Sequence, residues 1–92
     1  MNKIFWTDTA VKNLNNIFDY ISADSKFYAD VLVNDIFESI EQIKIFSKSG
    51  RVVPEIADKN TREIFVGSYR IIYEVKNKQV RILTIIHGVR KL

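Results

Sequence analysis

The chain has 92 residues, 47% of them hydrophobic, which suits a single domain over residues 1–92 with a small core and leaves no room for a second. Cysteine is absent and histidine occurs once, which argues against disulfides, thiolate chemistry and a clustered zinc site, so neither a metal nor a cofactor is expected. The net charge is +3, no apolar run is long enough to span a membrane, and the opening Met1-Asn2-Lys3-Ile4-Phe5-Trp6-Thr7-Asp8 turns polar too early for a signal peptide, so the expected location is the cytoplasm.

Residues 2 to 6 carry large apolar side chains and stop at Thr7-Asp8, a pattern that predicts a strand running into a helix N-terminus. From Thr9 to Ile21 the residues Ala10, Leu14, Ile17 and Ile21 recur at helical spacing. After Ser22-Ala23-Asp24-Ser25 a longer helix is predicted, with Ala29, Leu32, Ile36, Ile40 and Ile43 on one stripe and Asp30, Asp35, Glu38 and Glu41 largely outside it. The two helices form a hairpin in this reading. Val33 and Phe37 widen the apolar stripe beyond what a small sheet must cover, so they are candidates for docking a partner's helix or tail as well as for filling the core.

Ser47 to Pro54 breaks the helix with Gly50 and leads into extended backbone before the proline; it reads as a loop inside one domain. Three strands are predicted after it, Arg62 to Val66, Tyr69 to Lys76 and Gln79 to His87, separated by Gly67-Ser68 and Asn77-Lys78. With Asn77-Lys78 as a two-residue hairpin loop, Lys76 faces Gln79, Glu74 faces Arg81, Ile72 faces Leu83 and Arg70 faces Ile85. That register puts Tyr69, Ile71, Tyr73, Val75, Val80, Ile82 and Ile86 on the side packed under the helices, and Arg70, Glu74, Arg81 and His87 on the other. The fold class is therefore α+β, an N-terminal strand and a two-helix hairpin packed on a mainly antiparallel sheet.

The charge is unevenly spread: residues 1–45 sum to −3 and residues 46–92 to +6, with all five arginines in the second part. Arginine forks suit phosphate and carboxylate, so the partition points to an anionic partner, nucleic acid or an acidic protein segment. Arg51, Arg62, Arg70, Arg81 and Arg90 are the candidate target- or phosphate-binding residues. If they converged with His87 at one end of the sheet they could hold a phosphodiester and stabilise the charge of its transition state. His87 is the side chain suited to proton transfer near neutrality, and its bland alternative is a solvated strand-end histidine. A solvated sheet face is the corresponding alternative for Arg70 and Arg81. Trp6, Tyr69 and Tyr73 read as core or interface aromatics ahead of base-stacking platforms. No Gly-rich phosphate loop, paired-carboxylate motif or Ser/His/Asp spacing occurs, so nucleotide hydrolysis, glycosidase and serine-hydrolase readings lack support.

The run Gly50-Arg51-Val52-Val53-Pro54-Glu55, the stretch from Arg62 to Val75 centred on Tyr69-Arg70-Ile71-Ile72-Tyr73, and the ending from Ile82 to Arg90 together resemble the RelE/ParE toxin superfamily over nearly the whole chain. The resemblance implies the growth-arresting toxin of a type II toxin-antitoxin pair, held in a hetero-oligomer by a cognate antitoxin whose partly disordered segment folds over it. The superfamily divides into ribosome-dependent messenger-RNA endonucleases, which resemble RelE, and inhibitors of DNA gyrase, which resemble ParE and need no catalytic residues. The nucleases carry two lysines where this chain has Thr61 and Glu63, and an aromatic beyond the last arginine where this chain has Lys91 and Leu92. The resemblance therefore leans to the ParE-like branch. Were the chain a nuclease, catalysis would be metal-independent and would fall to His87, Arg70 and Arg90; an inactive relative retained as an antitoxin-binding module is the third alternative.

Overall fold

A computed structural model describes residues 2–88. In chain order the elements are β1 (Lys3–Trp6), α1 (Asp8–Ser22), α2 (Lys26–Ile45), β2 (Arg51–Val52), β3 (Thr61–Val66), β4 (Tyr69–Lys76) and β5 (Gln79–His87). The strands form one sheet in the order β1-β5-β4-β3-β2. Only β1 runs parallel to its neighbour, β5; the other pairs are antiparallel. The predicted elements occur within a residue or two of their expected ends, and β2, a two-residue strand inside the stretch read as a loop, is the addition.

Thr7 explains how β1 passes into α1. Its Oγ1 accepts from the Ala10 N–H at 3.1 Å, capping the helix, while its own hydroxyl lies 2.8 Å from the Ile82 carbonyl and so ties the helix start to β5. Asp8 in the first turn adds a favourable charge at the positive end of the helix. Ser25 caps α2 in the same way, accepting from the Tyr28 N–H at 3.2 Å. Both helices lay their apolar stripes on one face of the sheet. The core joins Ala10, Ile36, Ile40 and Ile43 to Val66, Ile71, Tyr73, Val80, Ile82 and Ile85, with Leu14, Ile17 and Leu32 packed at its edge. Each fully buried isoleucine among them contributes about 1.5–3 kcal/mol relative to an exposed one.

Asn77 and Lys78 have φ of 53° and 59°, the left-handed pair that a two-residue hairpin loop of the favoured twist requires. Lys76 pairs with Gln79 and Glu74 with Arg81, as the loop dictates. The register then departs from expectation. A β-bulge between Ile72 and Tyr73 lets β5 carry one extra residue, so Ile72 pairs with Thr84 instead of Leu83, and Arg70 with Ile86 instead of Ile85. Because side chains alternate with period two, one extra residue reverses the faces of everything beyond it. Ile85, not Ile86, is buried under the helices at 2% exposure, and His87 moves to the helix side opposite Tyr69. Tyr69, Ile71, Tyr73, Val75, Val80 and Ile82 keep their expected side.

Gly50 sits where no side chain fits: a Cβ there would lie 2.5 Å from the Tyr73 hydroxyl and 2.6 Å from the Glu63 carbonyl oxygen. The close approach lets the Gly50 N–H donate to Tyr73 Oη at 3.0 Å, which satisfies a fully buried phenol.

Candidate functional site

On the sheet face away from the helices, the short β2 pairs Arg51 with Glu63, and Glu63 is the diagonal neighbour of Arg70 across β3 and β4. These three side chains and Glu55 form a closed cluster. Arg70 Nε donates to Glu63 Oε1 at 2.7 Å, and its two terminal nitrogens donate to Glu55 Oε2 and Oε1 at 3.0 and 3.1 Å. Arg51 Nε donates to the remaining oxygen of Glu63. The Arg51 guanidinium also lies over the Phe65 ring, 5.5 Å from its centroid.

The Glu63 side chain is completely buried and the Arg70 side chain 5% exposed. The Arg70–Glu63 pair is therefore dry, while Arg51, 62% exposed, and Glu55, 32% exposed, close the cluster from its solvent side. Hydrogen bonding to Glu55 raises the Arg70 pKa, burial opposes it, and Glu63 adds to the rise, so Arg70 stays charged. Glu55 reaches it from the 53–60 segment, whose backbone folds on itself through Ala57 N–H to the Val53 carbonyl (2.8 Å) and is closed by the Asn60 N–H donating to Asp58 Oδ1 (2.9 Å). Chemically the cluster clamps that segment to the sheet: the arginine's fork is filled by the protein's own carboxylates.

The other candidates are dispersed. Arg62 pairs with Tyr73 and so projects from the helix side, where it donates to the carbonyls of Gly50 (2.9 Å), Lys59 (3.1 Å) and Lys48 (3.3 Å) and staples two loops together. Arg81 shares the open face with Arg70 but stands four residues from it along the hairpin, about 13 Å away, and meets Glu74 at 3.5 Å as the register predicts. His87 lies across the sheet from the arginine cluster, its ring edge-on to Tyr69 at 5.6 Å. It borders a depression of about 640 Å³ lined also by Asn13, Asn16, Ile17 and Tyr20 of α1. The expected convergence of Arg51, Arg62, Arg70, Arg81 and His87 is thus corrected: only Arg51 and Arg70 meet. Arg90 lies outside the described residues.

Val33 is half-buried in α2, and Phe37 is 46% exposed with its ring 5.7 Å from that of Trp6. Phe37 and Trp6 border a groove of about 770 Å³ between α2 and β1, the edge strand, which Phe5, Ile40, Glu41 and Lys44 also line. Tyr73 is wholly core, its phenol pKa raised by burial, and Trp6 is half-buried at the rim of the groove.

The family model for the ParE toxin of type II toxin-antitoxin systems, parDE, matches residues 4–92. The chain belongs to this family. Its fold is similar to that of a chain from the chromosomal ParDE toxin-antitoxin system of P. aeruginosa, with a TM-score of 0.76 and 24% identity over 95% of this chain and 96% of the other. No curated protein sequence matches it. Membership of a family of toxins that work in toxin-antitoxin pairs implies an antitoxin partner for this ParE-type chain.

Within the ParE fold, the residues that sequence reasoning missed are Glu63 and Glu55. Glu63 was legible in principle, since it alternates onto the same face as Arg70 one diagonal step away. Glu55 was not, because it reaches Arg70 through an irregular turn containing Ala57 at φ 57°, which has no periodicity to read.

Proposed function

We propose that this chain is the toxin of a type II toxin-antitoxin pair that arrests growth by binding DNA gyrase, without cutting RNA. The observation that carries the reading is the filled fork of Arg70. A phosphodiester would have to displace both Glu55 and Glu63 from a nearly buried guanidinium, and His87, the available proton-transfer group, stands on the opposite face of the sheet. Membership of the ParE branch supports a protein target over a ribosome-bound message. Neutralisation would come from an antitoxin segment seated in the groove between α2 and β1, where Phe37 and Trp6 offer aromatic surface, and Lys3, Glu41 and Lys44 polar contacts, to a chain that folds as it binds.

The test compares two purified systems. The toxin is expected to inhibit gyrase supercoiling in a dose-dependent manner and to leave messenger RNA intact on translating ribosomes. Cleavage of message on ribosomes that is lost in Arg70→Ala or His87→Ala would replace this reading with the nuclease, and growth unaffected by expression without antitoxin would replace it with an inactive antitoxin-binding relative.

A further inference from the structure

The half of the open sheet face that the 53–60 segment leaves bare is basic. Register aligns Lys3, Gln79 and Lys76 in one row across β1, β5 and β4, and Phe5, Arg81 and Glu74 in the next. Lys3, Gln79, Lys76, Phe5 and Arg81 are all exposed, and Glu74 is half-buried. Lys59, exposed in the turn before β3, lies near the end of this row, since the carbonyl of the next residue, Asn60, accepts from the Val75 N–H at 2.8 Å. Lys78 stands in the adjoining hairpin turn, and the nearby acids are Glu74, which meets Arg81, and Asp58, which caps its own turn. Lys3 belongs to the acidic half of the sequence and joins this surface only because β1 pairs with β5.

We infer that this face binds the phosphate backbone of duplex DNA without reading its sequence. Three features separate that partner from an acidic protein. Lysine is depleted in the buried centres of protein interfaces, whereas here it dominates. As a compact, well-hydrated charge it suits exposed phosphates, and the arginine among the described residues on this half of the face, Arg81, has Glu74 as a carboxylate neighbour. The row from Lys3 to Lys76 spans three adjacent strands about 5 Å apart, with Arg81 in the next row and Lys59 and Lys78 in flanking turns, so several charges meet a duplex that carries one phosphate per about 1.7 Å of axis. Among the described residues of these two rows Phe5 is the one large exposed apolar side chain, and it stands at the edge strand, where it also borders the α2–β1 groove, so the rows themselves offer a protein partner no apolar centre. The inference is independent of the gyrase reading, since duplex binding is measured with no topoisomerase present and either can fail alone.

The experiment is fluorescence anisotropy of a labelled random-sequence duplex with the purified chain between 50 and 200 mM salt. Four phosphate contacts predict a log–log salt slope of about −3 to −4, a loss of affinity on the order of a hundredfold over that range. Lys3→Gln combined with Lys76→Gln is expected to weaken binding at least tenfold and to reduce the slope by about 2. Lys12→Gln combined with Lys26→Gln removes the same charge from exposed helix positions and is expected to change little. The inference is overturned if the duplex is not bound at 50 mM salt, if the helix pair weakens binding as much as the sheet pair, or if single-stranded RNA of equal length binds more tightly than the duplex.

Discussion

Arg70, a candidate phosphate ligand by sequence, has its guanidinium taken up by Glu55 and Glu63. Removing one member of a buried, hydrogen-bonded ion cluster leaves the opposite charge without solvent or partner, at a cost of about 3–5 kcal/mol. Arg70→Ala leaves the fully buried Glu63 with Arg51 as its remaining cation and returns the partly exposed Glu55 to solvent, so its unfolding free energy in urea is expected to fall by about 3 kcal/mol, the lower end of that range, while Arg81→Ala, which breaks an exposed 3.5 Å pair, is expected to cost under about 1 kcal/mol. Equal losses in the two variants would mean that the cluster does not hold the sheet face. Tyr73 sets a second expectation, this one in pH. Burial raises its phenol pKa, with the Gly50 N–H opposing, so between the unfolded value near 10 and the higher folded one the unfolded chain binds fewer protons than the native one. Stability from this group is therefore complete below pH about 10 and is lost as pH rises above it. Tyr73→Phe leaves the Gly50 N–H unpaired and should cost about 1–2 kcal/mol at neutral pH. The gap between the two proteins should narrow in urea titrations from pH 9 to 11, and a constant gap would show that Tyr73 does not govern the alkaline loss.

The β4–β5 hairpin shows how far pattern carries and where it stops. Its loop was legible because two polar residues separate two β-rich runs, and its tip carries a correctable strain: Lys78 holds φ 59° with a side chain. Lys78→Gly should relieve that conformation and raise stability by about 0.5–1 kcal/mol, equivalent to about 3–6 °C in Tm for a domain of this size, measured by thermal melting. A lower Tm would mean that the turn chemistry is not what sets the loop. Beyond Ile82 legibility fails for a physical reason. Ile82-Leu83-Thr84-Ile85-Ile86 has no strict polar alternation, so nothing in the string marks the residue that bulges out, and the faces of Ile85, Ile86 and His87 follow from the bulge alone. The helices were legible throughout, because Ala29, Ile36, Ile40 and Ile43 repeat at the helical period and all are buried.

At the scale of the molecule, the opposite charges of the two halves become two surfaces with different chemistry. The sheet's bare face gathers cations, while the groove between α2 and β1 combines an aromatic and aliphatic lining with Asn2, Lys3 and the Glu41–Lys44 pair, 3.7 Å apart. An antitoxin tail that covers the groove must bury Phe37, which is half exposed yet already braced by Trp6, so the ring is pre-organised for contact at small entropic cost. Aromatic anchors of this kind carry about 2 kcal/mol or more of an interface, roughly thirtyfold in Kd. Phe37→Asp should leave growth arrest in place, because Phe37 lies outside the core cluster, while weakening the antitoxin complex by at least that factor in calorimetry and abolishing rescue when the two proteins are co-expressed. Val33→Asp, one turn earlier on the same helix and half-buried, should act in the same direction but also lower Tm, which Phe37→Asp should not. Full rescue of both variants by the antitoxin would move its docking site away from this groove, and loss of toxicity in Phe37→Asp with an unchanged Tm would assign the groove to the target instead.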